Sequence, residues 1–406
     1  MTNRALKTRI RYFLLIFAIL ALLCAAVTNL FGGVCYAETE KDAEEILEEN
    51  VDNTLEDVDT SALDKFLSGI SEDFRTLFGD DVAATAKAIV KGEYAGSFNE
   101  FFSVMIKGIS KSVLDVLPTV LTLVAIAVLY SLLGGFTSGF VQKPTEKLIY
   151  FATYSTMILI VMVEVGGVIK LTTNTIDNVR VLMEGIFPIL LTLTTLLGGV
   201  TSSAVFKPMM STLVTVITVF VSRLIIPMFI ASIAFSIVGN LTKSVKLDKL
   251  TEFFKSSATY ILGGVFGIFI AFLTFQGLTG GVIDSISVKT AKFAMQSYIP
   301  ILGGYLSDGF DLMMASIVLI KNSIGVIGLL MLLSVIVLPT VKIILLSLGL
   351  KLASGIIEPI SDSKFSKMLS DVSSNMTLLI ISLVGVGFMF LLTVMLVIYT
   401  CNGGVL

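Results

Sequence analysis

Seven ionisable side chains lie inside long apolar runs: Glu164, Glu184, Arg223, Asp308, Asp311, Lys321 and Lys342. A charge at the centre of a membrane helix costs about 2.5–3.5 kcal/mol or more, so such groups face a bundle interior, a water-filled cavity or an interface. Four of them are the candidate pathway-lining residues: Arg223, Asp308, Asp311 and Lys321. Each also has a structural reading. Arg223 lies just before Pro227, where its stem can snorkel to an interface. Lys321 sits deeper in its run, next to Asn322. Asp311 and Lys321 are ten residues apart, roughly 15 Å along a straight helix, so they cannot pair within one helix. Each needs water, a neighbouring helix or a solute.

Other chemistry is scarce. The chain has no histidine, which removes the commonest general base, the Ser-His-Asp triad and imidazole metal ligands. Cys24, Cys35 and Cys401 are its three cysteines and show no metal-ligand spacing. Gly198-Gly199 and Gly303-Gly304 are isolated pairs without the Gly-Lys-Ser/Thr of a phosphate loop. No spacing favours a Ser/Lys dyad. The reading is therefore of a non-enzyme, with no catalytic residue, cofactor or metal assigned. Net charge is −3 and no basic stripe is visible, which argues against nucleic acid.

The elements that must position these groups are membrane helices. The 406 residues are 55% hydrophobic and only 15% charged, against about 25% charged in soluble domains. A proline motif recurs through the apolar part. Val116-Leu117-Pro118-Thr119-Val120 returns identically as Val337-Leu338-Pro339-Thr340-Val341, with a looser copy at Ile225-Ile226-Pro227. The spacings are 227 − 118 = 109 and 339 − 227 = 112. Phe187-Pro188-Ile189-Leu190 returns as Ile299-Pro300-Ile301-Leu302, also 112 apart. Proline suits the first turn of a helix, where its missing N–H is unpaired anyway. Pro118, Pro188, Pro227, Pro300 and Pro339 are thus read as helix-opening residues of an internally repeated membrane protein.

Ahead of the membrane part, residues 1–37 read as a signal peptide. Arg4, Lys7, Arg9 and Arg11 precede an apolar run, and Cys35-Tyr36-Ala37 places small residues before a cleavage between Ala37 and Glu38. An uncleaved first span is the alternative. Residues 38–60 form an acidic linker, expected to be disordered or loosely helical. Residues 61–111 form an extracytoplasmic amphipathic region. Its first stripe runs through Leu63, Phe66, Leu67 and Ile70, its second from Tyr94 to Ile109, and Asp80 or Asp81 can cap a short helix through Val90 between them. It reads as a small helical cap or as an interfacial platform for a partner. Membrane repeats follow at 112–210, 211–322 and, partial, 323–406.

Lysine-bearing segments around Lys143, Lys246 and Lys364 are expected on the cytoplasmic side. All three proline helices then run in one direction. The Pro188 and Pro300 regions must enter and return, and re-entrant hairpins are the expected solution, with Gly303, Gly304 and Gly309 weakening a continuous helix at the second. The predicted fold class is an all-α polytopic membrane protein of about eight, up to ten, transmembrane helices in tandem parallel repeats.

The order and spacing of these features resemble the stage III sporulation protein AE family of endospore-forming bacteria. The leader ending Cys35-Tyr36-Ala37, the acidic segment with its stripes, and the three proline motifs carry the resemblance over essentially the full length. It implies a multipass protein of the mother-cell membrane around the forespore. Its partners there would be the lipid bilayer and other stage III sporulation membrane proteins, in a channel or secretion-like complex needed for late forespore gene expression. The alternative is a self-contained secondary transporter or exporter of a small solute. An intramembrane enzyme is a third, weaker reading.

Overall fold

The chain begins its described structure with a stripe hidden among acids. Leu47, Val51 and Leu55 repeat every four residues, so they share one helical face while the carboxylates occupy the others. A computed structural model describes residues 41–400 apart from 57, 71–74, 76–77, 80, 93–96, 138–142, 242–246 and 299–302. The signal peptide, the Ala37/Glu38 cleavage position, Lys246 and Pro300 lie outside the described residues. In the structure the acidic stretch is a helix, α1 (Lys41–Glu56), with Val51 and Leu55 buried against a later helix, not a loose linker. Its polarity solvates one side while the stripe docks the other.

Two short helices follow, α2 (Ser61–Gly69) and α3 (Val82–Val90). Asp59 accepts from the amide and hydroxyl of Ser61 at the start of α2, and these bonds hold its carboxyl below the usual carboxylate range. Asp81 caps α3 as expected, accepting from the Ala83 amide at 2.8 Å. Asp64 of α2 accepts from the Val82 amide at 2.9 Å and ties the two together. The second amphipathic stripe is not a separate helix. Phe101 and Met105 are the buried face of the first turns of α4 (Ser97–Thr137).

The rest is long helices: α5 (Lys143–Leu196), α6 (Val200–Phe220), a π turn (Val221–Ile225), α7 (Ile226–Leu241), α8 (Asp248–Tyr298), α9 (Gly303–Ile357) and α10 (Ser363–Tyr399). They form three hairpins: α4 with α5, α6–α7 with α8, and α9 with α10. The last is the centre, with α4 and α5 against one side of it and α7 and α8 against the other. The helix ends that flank the three hairpin connections lie at one end of the bundle. There Phe365, at the start of α10, packs on Tyr130 and Tyr150, and Lys367 pairs with Asp248 at the start of α8. The α5–α6 turn closes through Gly198 at φ +82°. The Gly199 amide reaches Thr194 and the Gly198 amide reaches Thr195, a Schellman stop that a residue with a Cβ would strain.

Among the described residues there is no strand, and six helical stretches are long and apolar enough to cross a membrane: Glu100–Leu133, Lys147–Leu196, Val214–Asn240, Asp248–Thr274, Ser307–Ile357 and Ser363–Tyr399. The expected count was eight to ten crossings. At Pro188 the helix continues through the stretch expected to break it, while the Pro300 turn lies outside the described residues. Around Asn174 to Gly185, α5 is flanked by α2. Near its start α9 is flanked by α8, whose Lys292 pairs with Asp311.

The prolines are corrected in the same way. Pro118, Pro188 and Pro339 lie inside helices rather than at their openings. A proline within a helix loses one backbone hydrogen bond and crowds the carbonyl four residues earlier. Packed neighbours and local hydrogen bonds make that tolerable in apolar bundles. At two of these sites a threonine four residues later donates to the proline carbonyl: Thr122 to Pro118 and Thr192 to Pro188. Pro227 is handled differently. The π turn directly before it carries the Ile226 amide back to the Val221 carbonyl, five residues away, and widens the helix where the ring must fit. Pro118, Pro227 and Pro339 fall one in the first arm of each hairpin.

Candidate functional site

The end of the bundle where Phe365 meets Tyr130 and Tyr150 holds a buried polar seam. Three helices build it from residues spaced one turn apart, so that each contributes one edge. α7 supplies Ser232, Ser236 and Asn240, α10 supplies Lys367, Asp371 and Asn375, and α8 supplies Asp248 and Thr251. At the mouth Lys367 pairs with Asp248 at 3.0 Å, both exposed. One turn deeper the Asn240 amide donates to the Asp371 carboxylate at 3.0 Å and to the Ser236 carbonyl at 2.9 Å. Deepest, the Ser232 hydroxyl has two acceptors within reach, Asn375 Oδ1 at 3.0 Å and the Thr251 carbonyl at 3.2 Å. Ser347 with Ser373, and Ser354 with Ser366, continue the polar contact between α9 and α10.

Around this interior the outside is apolar. Large exposed apolar side chains are densest from Val113 to Leu133 on α4, Leu148 to Val163 on α5, Val216 to Val238 on α6–α7 and Leu250 to Phe272 on α8, with sparser ones beyond, such as Ile106, Leu196, Val205 and Phe293. At 1.5 Å per residue these belts are about 22–33 Å tall, the thickness of a bilayer's hydrocarbon core. Helices α5, α8 and α9, of 54, 51 and 55 residues, continue well past the belt. Among the described residues, clefts open in this distal half. One of about 760 Å³ lies between α2, α5 and α9, with Lys65, Asn174, Asn178 and Glu184 among its polar lining. The other, about 570 Å³, lies between α5 and α6.

The four candidate pathway residues are not brought together. Arg223 is exposed within the π turn, and Asp308 is exposed near the start of α9. Asp311 forms an ion pair with Lys292 of α8. Lys321 is fully buried and its amine donates to the Thr400 carbonyl at the end of α10, where a cation meets the negative end of a helix dipole. Asp311 and Lys321 thus each have a partner on a neighbouring helix. Of the remaining charges in apolar runs, Glu164 accepts from Thr119, Glu184 pairs with Arg180 on its own helix, and Lys342 pairs with Asp115 of α4. The seam was not anticipated, because the stretch 361–374 reads as a polar connection. The signal was present in the one-turn spacings Ser232/Ser236/Asn240 and Lys367/Asp371/Asn375.

Six apolar helices in three hairpins around a polar seam define a polytopic all-helical membrane protein. Comparison of the sequence with protein families narrows this further: the chain belongs to the stage III sporulation protein AE family, whose family model matches residues 81–401. It is similar to the stage III sporulation protein AE of Bacillus subtilis strain 168, with 24% identity over 366 residues, covering 90% of this chain and 92% of that one. No solved structure matches.

Proposed function

We propose that this chain is an integral membrane component of a multiprotein channel or secretion-like complex between mother cell and forespore, needed for late forespore gene expression. Its place is the mother-cell membrane surrounding the forespore, and its partners are the other stage III sporulation membrane proteins of that complex. The observation that carries this reading is the height of the bundle. A bilayer core is about 30 Å thick and a 20-residue helix crosses it. α9 has 55 residues, about 80 Å at 1.5 Å per residue. The excess rises beyond the apolar belt; α1 and α3 pack on α9, and α2 packs on α5 beside it. A self-contained carrier needs no such tower, whereas a component that meets partners away from the membrane does.

A second reading, a solitary secondary transporter of a small solute, draws on the polar seam, because transporters place titratable groups inside the bundle. Affinity purification of the full chain from sporulating membranes separates the two. A stable, reproducible set of other sporulation membrane proteins is expected. A solitary protein that moves a solute across liposomes overturns the first reading and supports the second.

A further inference from the structure

The cleft of about 760 Å³ between α2, α5 and α9 has a divided wall. Its apolar part includes Phe66, Leu171 and Leu338, and its polar part includes Lys65, Asn174 and Asn178. Sites for small amphipathic ligands have this make-up and roughly 300–1,000 Å³ of space.

The polar groups of the wall are unspent. Asn174 and Asn178 stand one turn apart on α5. Among the described residues neither side-chain amide makes a hydrogen bond, and the Lys65 amine has no partner. The acids nearby are already taken, Asp177 and Glu184 by Arg180 and Asp115 by Lys342. Pro339 also lines the cleft and has no N–H to give the Val335 carbonyl, so the α9 wall carries an acceptor that its own helix does not use.

The cleft opens at the distal edge of the dense apolar belt, which on α4 ends at Val113. Farther out on α4, Gly108 packs on Leu338: a Cβ there would meet Leu338 Cδ2 at 2.7 Å. Five residues separate Gly108 from Val113, so the Leu338 wall stands about 8 Å beyond the belt, at the depth of lipid headgroups. More lysines gather at this level. Lys107 and Lys111 flank Gly108, and Lys170 directly precedes Leu171. These three are exposed and have no ion pair among the described residues. Lysines at the rim of an apolar belt lay their stems on it and hold their amines among the phosphates.

We propose that this cleft is a binding site for one anionic phospholipid. Its phosphate is held by Lys65 with the amides of Asn174 and Asn178. A headgroup hydroxyl donates to the Val335 carbonyl, and the acyl chains pass Leu171 and Leu338 toward the belt. Lys107, Lys111 and Lys170 enrich anionic headgroups around the mouth. A free anion would leave the apolar half of the wall unused, whereas a lipid fills both halves and reaches the cleft from the bilayer itself. The lipid then joins α2 of the cap to the membrane-crossing helices α5 and α9.

The chain has no tryptophan, so a single introduced one reports its own surroundings. Leu171→Trp places it in the cleft, and Leu159→Trp, at a belt position 67% exposed, reports the bulk lipid. The full chain is reconstituted in mixed phosphatidylcholine and phosphatidylglycerol vesicles, with quenching bromine on the acyl chains of one lipid or the other. Half-maximal quenching in the cleft is expected at a several-fold lower share of brominated phosphatidylglycerol than of brominated phosphatidylcholine, with no preference in the belt. Lys65→Gln, which breaks no contact of the fold, should remove most of the cleft's preference. Ile70→Trp on the α2 wall repeats the reading with α5 unaltered. Equal quenching by the two lipids at both cleft positions, the same preference in the belt, or a preference that survives Lys65→Gln overturns the site. A preference abolished by millimolar inorganic phosphate overturns it too, because the cleft would then read a free anion and not a lipid.

Discussion

The cap and the belt of this protein are built with opposite polarity. In the cap, α1 to α3 bury Val51, Leu55, Leu63, Leu67 and Val82. They carry their charges outside, where Lys87 meets Asp52 at 2.6 Å and Lys91 meets Glu48 at 3.3 Å. In the belt the large apolar groups are outside and the hydrogen-bonding side chains of α7, α8 and α10 are inside. The difference teaches what the solvent is in each place. Water rewards an apolar interior and charged exterior. Hydrocarbon gives no such reward for burying apolar surface, so packing and interhelical polar contacts hold helices together there.

The largest effect should come from the cap's apolar core. Leu63 of α2 is fully buried and lies against Gly185 of α5, where an added Cβ would meet Leu63 Cδ2 at 3.2 Å. Truncation by Leu63→Ala should cost about 2–5 kcal/mol of local stability, because the site cannot collapse onto a glycine. Limited proteolysis of the membrane-bound protein should then release the cap while the belt helices stay protected. Equal protection of the cap in both proteins would show that α2 is not held by this contact.

Next in size is a charge on the outside of the belt. Leu121, near the middle of the α4 belt, is 59% exposed, and Ile46 on α1 is 47% exposed. By exposure alone the two sites are alike. If the belt faces lipid, Leu121→Arg costs about 2.5–3.5 kcal/mol, while Ile46→Arg in the cap stays within about 0.5 kcal/mol, as for ordinary surface substitutions. Membrane abundance and detergent thermal stability should fall for the first and hold for the second. Parallel behaviour of the two variants would erase the distinction between the regions.

Much of this division was legible in the sequence and part of it was not. The all-helical membrane class, the stripe of Leu63, Phe66 and Leu67, and the Asp81 cap follow from periodicity and local hydrogen bonding, which act over a few residues. Pro188 looks like a break when read alone, yet α5 runs through it. Whether a proline ends a helix depends on what packs beside it, and at Pro188 that is Phe390 of α10 against the adjacent Phe187. α1 was hidden for a related reason: its apolar stripe is sparse, and α9 is needed to give it a partner. The seam was the hardest to see. Asp371 and Asn240 are far apart in the chain, and their one-turn ladders gain meaning only when the hairpins set them side by side.

The smallest effect concerns the charges of the cap. The Lys87–Asp52 pair is short, but its side chains are 41% and 42% exposed. Water screens such a pair and its long side chain loses entropy on pairing, so measured contributions run about 0.2–1 kcal/mol. Lys87→Met keeps most of the aliphatic stem and removes the charge. Hydrogen exchange in α1 and α3 should therefore accelerate only slightly, by less than about a factor of five, since 1.4 kcal/mol corresponds to tenfold. Raising the salt should shrink even that difference, because the Debye length falls from about 10 Å at 0.1 M to about 3 Å at 1 M. A much larger, salt-insensitive loss would mean that Lys87 and Asp52 are shielded from water in the membrane-bound protein. The cap would then lie against another surface instead of in solution, and its charge-out polarity would need a partner to explain it.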